Sequence, residues 1–301
     1  MRNTMLAVAA CHLRHMVPCS REHRIAEHFQ QGLALRDYQN ALNLSRDSLG
    51  QNGANVMLFS ANLLNMLAFA LPPSEVMPCD KTNNADQGSA WVFGPGEDRL
   101  GWLALQAGMR PLLISTSAYI NGAMDFFGLV YFRATEREKP GSVRVSLSLP
   151  DLMRNVPEIW VNVLDLDPGQ SSTTGSCECS THHDPTTVMR VPAAVLAGLR
   201  DVKPFNEHVF QALVFVSKVQ REFRTLLHER DVRAFWLFGY WLGLMQRFEG
   251  AWWCQMRAKR DYDAILLWLE HLRLEDRPGT RGGMWKDMMA ELRMAPYYNE
   301  R

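Results

Sequence analysis

The sequence has little cysteine and no net charge. Six cysteines in 301 residues are too few and too scattered for a disulfide scaffold, which favours reduced thiols in an intracellular protein. Thirty-two basic residues balance thirty-two acidic residues, and the main basic stretch is the short segment 256–260. A nucleic-acid-binding surface normally needs a basic patch. We therefore expect no direct contact with nucleic acid.

Familiar catalytic motifs are also missing. The sequence contains no nucleophile elbow, zinc-protease helix motif, P-loop or dinucleotide-binding glycine motif. Two cysteines precede two histidines in residues 177–183, but their spacing fits no closed zinc site and the flanking residues are Ser and Gly. His12 and His15, three positions apart, are typical of a helix surface. We predict no metal and no cofactor.

Long apolar runs are absent as well. The longest one, residues 56–71, is interrupted by Ser60, Asn62 and Asn65 and is too short to span a bilayer. The start of the chain resembles a lipoprotein signal, but its apolar run is at the short limit and basic residues follow at once. We expect neither a membrane span nor a signal peptide.

What the sequence does contain is helical periodicity. Apolar residues recur every three or four positions over residues 205–227, the pattern of an amphipathic helix. Residues 232–248 are apolar nearly all round, which is typical of a helix inside a bundle. Gly239 and Gly243 in this segment are expected to allow close helix packing. Further helices are predicted for residues 6–15, 25–42 (with Ser20 as the cap) and 54–70.

Another carboxyl-terminal helix is predicted for residues 252–272. Its apolar residues, Met256 among them, are expected to face inward. Its charged residues, including Arg257 and Asp261, are expected to face water.

The middle of the chain is less regular. Residues 142–149 alternate between apolar and polar side chains, which predicts a short strand that pairs with residues 159–166. Residues 72–98 and 168–187 are predicted loops, because they are rich in turn-forming residues. We predict an all-α fold, a single-domain orthogonal helical bundle over residues 1–301 with one short β-hairpin. Short helices are expected at residues 102–115 and 124–132.

The strongest feature is the density of large aromatic rings between residues 236 and 253. Plain core packing is the first explanation, because each ring buries much apolar surface. The same rings, with the methionines beside them, also suit a pocket for a bulky hydrophobic molecule, oriented by Tyr O–H and Trp N–H groups. A polar stripe on the helix at residues 54–70 faces either solvent or such a pocket. The candidate ligand-binding residues are Trp236, Tyr240, Trp241, Met245, Phe248, Trp252, Trp253, Met66, Asn62 and Phe59.

Five segments of the chain carry a family resemblance: residues 6–13, 26–38, 58–64, 102–108 and 240–269, the last with its Trp252-Trp253 pair. Together they resemble the carboxyl-terminal regulatory domain of fungal zinc-cluster transcription factors, especially the branch like the sterol uptake control protein. The resemblance spans most of the chain and implies an all-α regulatory domain that encloses an apolar ligand. In that family a separate zinc cluster with six closely spaced cysteines reads DNA, and the six cysteines here lack that spacing.

Two functional hypotheses follow. The first is a regulatory domain, nuclear and a candidate homodimer, that binds a sterol- or terpenoid-like lipophilic metabolite and has no DNA-binding module of its own. The second is a cytoplasmic, cofactor-independent enzyme that folds a polyene or terpenoid substrate for cyclisation or cycloaddition. Holding the reacting ends together supplies much of the rate in such chemistry. The catalytic candidates, chosen by position, are Tyr240, His208 and Arg247.

Overall fold

The structure is a computed structural model that describes residues 1–43, 46–70, 153–166, 185–205, 208–213 and 221–298, with positions 100, 102, 103, 112, 215, 216 and 219. These residues contain helices and no strand, which confirms the predicted all-α fold class. They divide by their contacts into two compact units. The described residues up to 112 and those of 249–257 form unit 1. The described residues of 153–248 and 258–298 form unit 2.

The helices are numbered in chain order, and two single-turn 3₁₀ helices, Leu274–Asp276 and Ala295–Tyr297, accompany them. Their bounds are α1 (Arg2–Met16), α2 (Arg21–Leu42), α3 (Arg46–Ala70), α4 (Glu158–Val163), α5 (Pro185–Leu199), α6 (Val209–Ala212), α7 (Arg221–His228), α8 (Val232–Gln246), α9 (Trp252–His271) and α10 (Thr280–Met294).

The amino-terminal helices agree with the sequence pattern. The cap predicted for α2 is confirmed, since Ser20 Oγ accepts a hydrogen bond from the backbone N–H of His23 at 3.1 Å. Helix α3 extends beyond the predicted residues 54–70 and is kinked at Gly50. The φ angle of 57° at Gly50 lies in the left-handed region that glycine adopts at little cost.

In unit 1, α1 and α2 pack side by side and both contact α3. Ala7 and Ala34 are fully buried there, so the helices approach closely beside Cys11. Arg14 of α1 forms an ion pair with Glu27 of α2, whose side chain is only 1% exposed. Burial and the Glu27 charge raise the pKa of the Cys11 thiol to about 12. This thiol therefore stays protonated and acts as a packing group.

The carboxyl end of α3 is held by a buried arginine. Arg257 donates from Nε to the carbonyl oxygen of Phe69 at 2.6 Å and from Nη2 to that of Ala68 at 3.1 Å. Its guanidinium lies over the rings of Phe69 and Trp102, at 5.8 and 5.6 Å from their centroids. The last carbonyls of a helix have no partner within it, and Arg257 satisfies two of them.

The sequence assigned three residues of α9 to the wrong face. Arg257 and Asp261, expected to face water, are 8% and 0% exposed, and Met256, expected to face inward, is 51% exposed. Cys254 and Ile265 share the buried stripe with the two charged residues, at intervals of three and four positions. Partners that the sequence does not show, such as the carbonyls at the end of α3, make a buried charge tolerable.

Helix α3 also carries the longest apolar stretch among the described residues. Gly50–Ala70 is long and apolar enough, by length and composition alone, to cross a membrane. The same stretch packs against α1 and α2, and Met57, Leu58 and Ala61 form a buried cluster with Leu112. Of this stretch, 44% is buried inside the structure.

Helix α8 is the centre of unit 2, where it contacts α5, α6, α7 and α10. Every residue from Ala234 to Met245 is buried, as expected for a helix that is apolar all round. Asp231 caps the helix, because its carboxylate accepts hydrogen bonds from the backbone N–H groups of Arg233 and Ala234 at 2.9 and 3.1 Å. The central helix predicted for residues 232–248 is confirmed.

The two glycines of α8 mark the closest approach of its neighbours. A Cβ atom at Gly239 would lie 2.8 Å from Cγ2 of Ile265. One at Gly243 would lie 2.7 Å from Cβ of Ala295 and 3.1 Å from Cε2 of Tyr262. The predicted close packing is confirmed, and the protein's own side chains fill the space beside both glycines.

The strand predicted for residues 159–166 is wrong, because helix α4 occupies this segment. Pro157 at its start and Glu158 in its first turn favour a helix there. Trp160 and Leu164 are both buried, four positions apart on one helical face. A short apolar run fits the period of a strand and of a helix about equally well, so the pattern could not decide.

The continuous helix predicted for residues 205–227 is also wrong. Besides α6 and α7, residues 215 and 216 are helical, but Leu213 lies in a turn and Val219 lies outside any helix. The carbonyl of Ala212 accepts a hydrogen bond from the indole N–H of Trp241 at 2.8 Å, which supplies the partner that a continuing helix would have given. The apolar periodicity still predicted burial at most positions, although Phe205 is 56% exposed.

Several predicted segments lie outside the described residues. They are the strand at 142–149, the helix at 124–132, the loop at 72–98, the first part of the loop at 168–187 and most of the helix at 102–115. The last three residues of that second loop belong to α5, which begins at Pro185.

We expect Arg257→Ala to lower the free energy of unfolding by about 2–3 kcal/mol, because two buried carbonyls lose a charged donor. Arg257→Lys should recover only part of this, since an ammonium lacks the planar fork. The control Lys259→Ala, in the same helix, removes only an exposed ion pair and should change stability by less than about 0.5 kcal/mol. Urea unfolding followed by circular dichroism measures all three. Equal stabilities for Arg257→Ala and Lys259→Ala would contradict the stabilising role that we assign to Arg257 at the end of α3.

Alanine substitutions test the close packing on α8. Gly243→Ala should destabilise the protein by about 1–3 kcal/mol, because the overpacking exceeds the gain in helix propensity. Gly283→Ala in α10 is the matched control, since a Cβ there meets nothing within 4 Å, and it should be neutral or stabilising by up to about 1 kcal/mol. Thermal unfolding of both variants measures these changes. A stabilised Gly243→Ala would refute the close contact at Gly243.

Candidate functional site

Unit 2 contains a partly open cavity of about 410 Å³. Its walls come from three separate parts of the unit: Asn155 just before α4, the end of α5 with the residues after it, and Tyr298 just after the last 3₁₀ helix. Ala197 and Gly198 supply the α5 wall, and Arg200 and Asp201 follow directly in the chain. The cavity therefore has a small-residue wall, one basic group, one acidic group, an amide and a phenol.

Arg200 is the best-anchored of these wall residues. Its Nη2 lies 2.7 Å from Oε1 of Glu291, and both side chains are about one-fifth exposed, at 21% and 18%. The guanidinium carbon lies 5.3 Å from the ring centroid of Trp160 and 5.1 Å from that of Tyr298. These are cation–π distances. The ion pair and the two rings together fix the guanidinium in one position.

Glu291 connects this cation to the aromatic interior. Its second oxygen, Oε2, accepts a hydrogen bond from the indole N–H of Trp160 at 2.7 Å. Trp160 is fully buried, so this carboxylate is the polar group that satisfies an otherwise costly N–H. A single glutamate on α10 thus serves both an arginine at the cavity wall and a tryptophan behind it.

Tyr240 stands directly behind the wall. Its ring stacks on Trp236 at 5.1 Å and meets Trp160 edge-on, also at 5.1 Å. Burial raises the pKa of the Tyr240 phenol well above its ordinary value, and the negative charge of Glu291 acts in the same direction, against the opposing effect of Arg200. The phenol is therefore uncharged at neutral pH and retains a proton to donate.

Arg247 holds the chain that carries the cavity wall. From the end of α8, its Nη2 donates to the carbonyl of Val202 at 2.6 Å and its Nη1 donates to that of Arg200 at 3.3 Å. Burial lowers the pKa of Arg247, while the charge of Asp201 opposes this effect. A guanidinium stays charged at neutral pH in either case. Arg247 therefore has a structural task, which is to position the segment after α5.

Among the residues predicted to bind a ligand, those of unit 2 are used for packing. Trp236, Trp241, Met245 and Phe248 are at most 2% exposed. The indole of Trp236 donates to the carbonyl of Met288 at 2.9 Å, and the indole of Trp241 donates to that of Ala212. Both N–H groups that were expected to orient a ligand already have protein partners.

The remaining predicted ligand residues belong to unit 1. Trp252 lies beside His12 and His15, at 4.8 and 5.5 Å between ring centroids, and Trp253 meets Phe69 edge-on at 5.9 Å. The amide of Asn62 donates back to the carbonyl of Leu58 in its own helix at 3.0 Å, while Phe59 and Met66 are half-buried. These residues form part of the α3 surroundings in unit 1.

The three predicted catalytic candidates do not lie together in the structure. Tyr240 and Arg247 both lie against the Arg200 segment, although neither lines the cavity. His208 lies instead beside Phe205, with Nδ1 2.9 Å from the carbonyl oxygen of Lys203.

Sequence reasoning missed the cavity residues themselves. Asn155, Arg200 and Tyr298 are far apart in the chain, and no spacing or motif joins them. The one signal was Trp160, a lone aromatic in a segment taken for a strand. Recognising α4 as a helix would have placed that ring in the core and raised the question of its N–H partner.

Within the described residues, no three histidine, cysteine or acidic side chains are grouped closely enough to hold a metal ion. The cysteines and histidines of residues 177–183 lie outside that part of the chain. In comparisons with known proteins, the chain matches no family model, no curated protein and no solved structure. Inferences about the cavity therefore start from its own geometry.

The buried phenol predicts how stability changes with pH. Below about pH 10 the Tyr240 phenol is neutral in both the folded and the unfolded chain, so its stabilising contribution is complete. Above that pH the unfolded phenol ionises first, and the free energy of unfolding falls. Tyr240→Phe should lose stability less steeply between about pH 9 and pH 11. Urea unfolding across this range gives both slopes, and equal slopes would show that the phenol is not buried.

Proposed function

We propose that this protein is a regulatory domain that binds a small lipophilic metabolite of the sterol or terpenoid kind, without a DNA-binding module of its own. The observation that carries the proposal is the cavity beside Arg200 in unit 2. Its volume of about 410 Å³ lies in the range of small-molecule sites. The fungal regulatory domains that the sequence resembles suggest the same class of function.

The proposed binding site is this cavity and not the aromatic segment that the sequence suggested. The rings of α8 are buried against one another and against the protein backbone. The cavity wall is mainly polar, and its smaller apolar part comes from Ala197, Gly198 and the ring of Tyr298. Asn155 is a polar group at the wall that can orient a guest, and the Tyr298 hydroxyl, which already accepts a hydrogen bond from Arg200, can still donate one.

Regulation follows from the way the cavity is assembled. Its walls come from the start of α4, the end of α5 and the end of the last 3₁₀ helix. A guest that touches all three stabilises one arrangement of these elements over others, in proportion to its concentration and affinity. The ligand-bound state of the domain would then be the regulatory signal.

One observation favours the enzymatic alternative, a cyclase or pericyclase that works by substrate preorganisation. Tyr240 keeps a neutral phenol in a buried position next to Arg200. A donor of this kind, in a region that excludes water, can stabilise a developing oxyanion during cyclisation. Tyr240 stands behind the cavity wall, so this role requires Arg200 or Tyr298 to move, and we rank the regulatory function first.

Fluorescence titration with a panel of sterols, terpenoid alcohols and linear polyenes tests both functions. Trp160 lies next to Arg200, so a guest should change its emission. We expect saturable binding by at least one compound, with Gly198→Trp weakening it at least about tenfold because the new ring fills the cavity. Gly198→Ala is the matched control and should bind as the original protein does, since a Cβ there meets nothing within 4 Å.

If no compound of the panel binds saturably, the regulatory proposal is refuted. Equal binding by the original protein and Gly198→Trp would move the site away from this cavity. Conversion of a linear polyene to a cyclic product, detected by mass spectrometry and lost in Tyr240→Phe, would favour the enzyme.

A further inference from the structure

The outward side of helix α2 carries large apolar side chains. Phe29 is 62% exposed and Ile25 is 59% exposed. Tyr38 packs on the other side of the helix, against the buried cluster that α1 and α2 share with α3. Phe29 comes nine positions before Tyr38, which is two and a half helical turns, so its ring lies on the side turned away from that cluster. Contiguous apolar patches on a protein surface commonly mark contacts with another molecule.

This apolar surface continues onto α1. The two helices are antiparallel, since the amide of Asn3 near the start of α1 donates to Asp37 near the end of α2 at 2.8 Å. Leu6 and Leu13 of α1 are 41% and 53% exposed. Val8 packs against the cluster shared with α3, and Leu6 lies about 200° round the helix from it. The helix pair α1–α2 therefore turns apolar side chains from both helices away from α3.

The exposed stripe of α2 is symmetrical about Phe29. The two positions three residues from Phe29 are both small, the two positions four residues away are both branched aliphatic residues, and the two positions seven residues away carry opposite charges. The spacing of three and four positions keeps the whole stripe on one face of the helix. In chain order the stripe consists of Glu22, Ile25, Ala26, Phe29, Gly32, Leu33 and Arg36, of which Leu33 is half-buried and the others are exposed.

A stripe with this symmetry is complementary to a second copy of itself laid antiparallel. In a two-fold interface, residue i of one protomer contacts residue j of its partner, and j contacts i. With the axis at Phe29, the two phenylalanine rings meet, Ile25 faces the partner's Leu33, and Glu22 faces the partner's Arg36. The last two contacts each form twice. The small residues at positions 26 and 32 let the helices approach closely, because the side chains at the contact set the distance between helix axes.

We propose that the outward face of α2 is a homodimer interface, in which two copies of this chain pair antiparallel about Phe29. Glu22 and Arg36 select the antiparallel orientation, since a parallel pairing would bring like charges together at both ends of the stripe. Leu6 and Leu13 of α1 enlarge the contact towards the about 800 Å² per partner of a standard interface. This inference concerns unit 1 and does not depend on ligand binding in unit 2.

Sedimentation velocity of the full chain, over about 1–100 μM, measures the proposed dimer. Phe29→Ala removes the central ring of the interface and should raise the dissociation constant at least about tenfold. Leu35→Ala is the matched control, because Leu35 is also a large apolar residue of α2 and is 46% exposed, but lies outside the stripe. This control should dimerise as the original protein does.

Charge reversals test the antiparallel pairing. Glu22→Arg and Arg36→Glu each place like charges together at two points of the dimer, so each alone should weaken it at least about fivefold. Combining the two substitutions exchanges the charges and should restore the dissociation constant to within about twofold of the original. An arginine in the first turn also weakens α2 itself. The double variant keeps that effect, so its recovery reports the pairing, and circular dichroism checks that each variant is folded.

A chain that stays monomeric over this concentration range would overturn the proposal. Equal dimerisation by Phe29→Ala and Leu35→Ala would also overturn it, because the interface would then lie elsewhere. If the double charge variant is folded but dimerises no better than the single variants, the antiparallel pairing about Phe29 is wrong.

Discussion

The polar atoms on the large rings of unit 2 constrain everything around them. A buried indole N–H or phenol O–H that lacks an acceptor gives up part of the free energy that the ring gains by burial. Trp236, Trp241 and Tyr262 reach backbone carbonyls, and Trp160 reaches a carboxylate. Each of these bonds joins segments that are distant in the chain. The aromatic interior is therefore held by directional hydrogen bonds, and these bonds decide which segments lie together.

The cavity is a by-product of that requirement. Glu291 is drawn to Trp160, and its charge in turn needs Arg200, which stands at the surface of the unit. The hollow next to the end of α5 lies beside the guanidinium that this ion pair holds. The polar lining and the packed core are thus two results of one network.

The sequence predicted the fold class because helical periodicity and capping are local. Ser20 capped α2 as expected, and residues 232–248 formed the central helix. It failed where a distant partner decided the outcome. Arg257 is buried because α3 ends beside it, and residues 205–227 break where Trp241 takes a carbonyl. Such partners cannot be read from spacing, and the cavity depends on them entirely.

The burial of the aromatic candidates has a related reason. Composition measures how much apolar surface a segment offers, but not whether another segment already covers it, as Ile265 covers Gly239. Asn155, Gly198 and Asp201, by contrast, are all exposed at the cavity rim. Exposed positions outside the core network tolerate substitution at little thermodynamic cost. Substitutions at the rim can therefore change the shape and charge of the cavity while the ring network stays fixed, which separates the evolution of the cavity surface from that of folding.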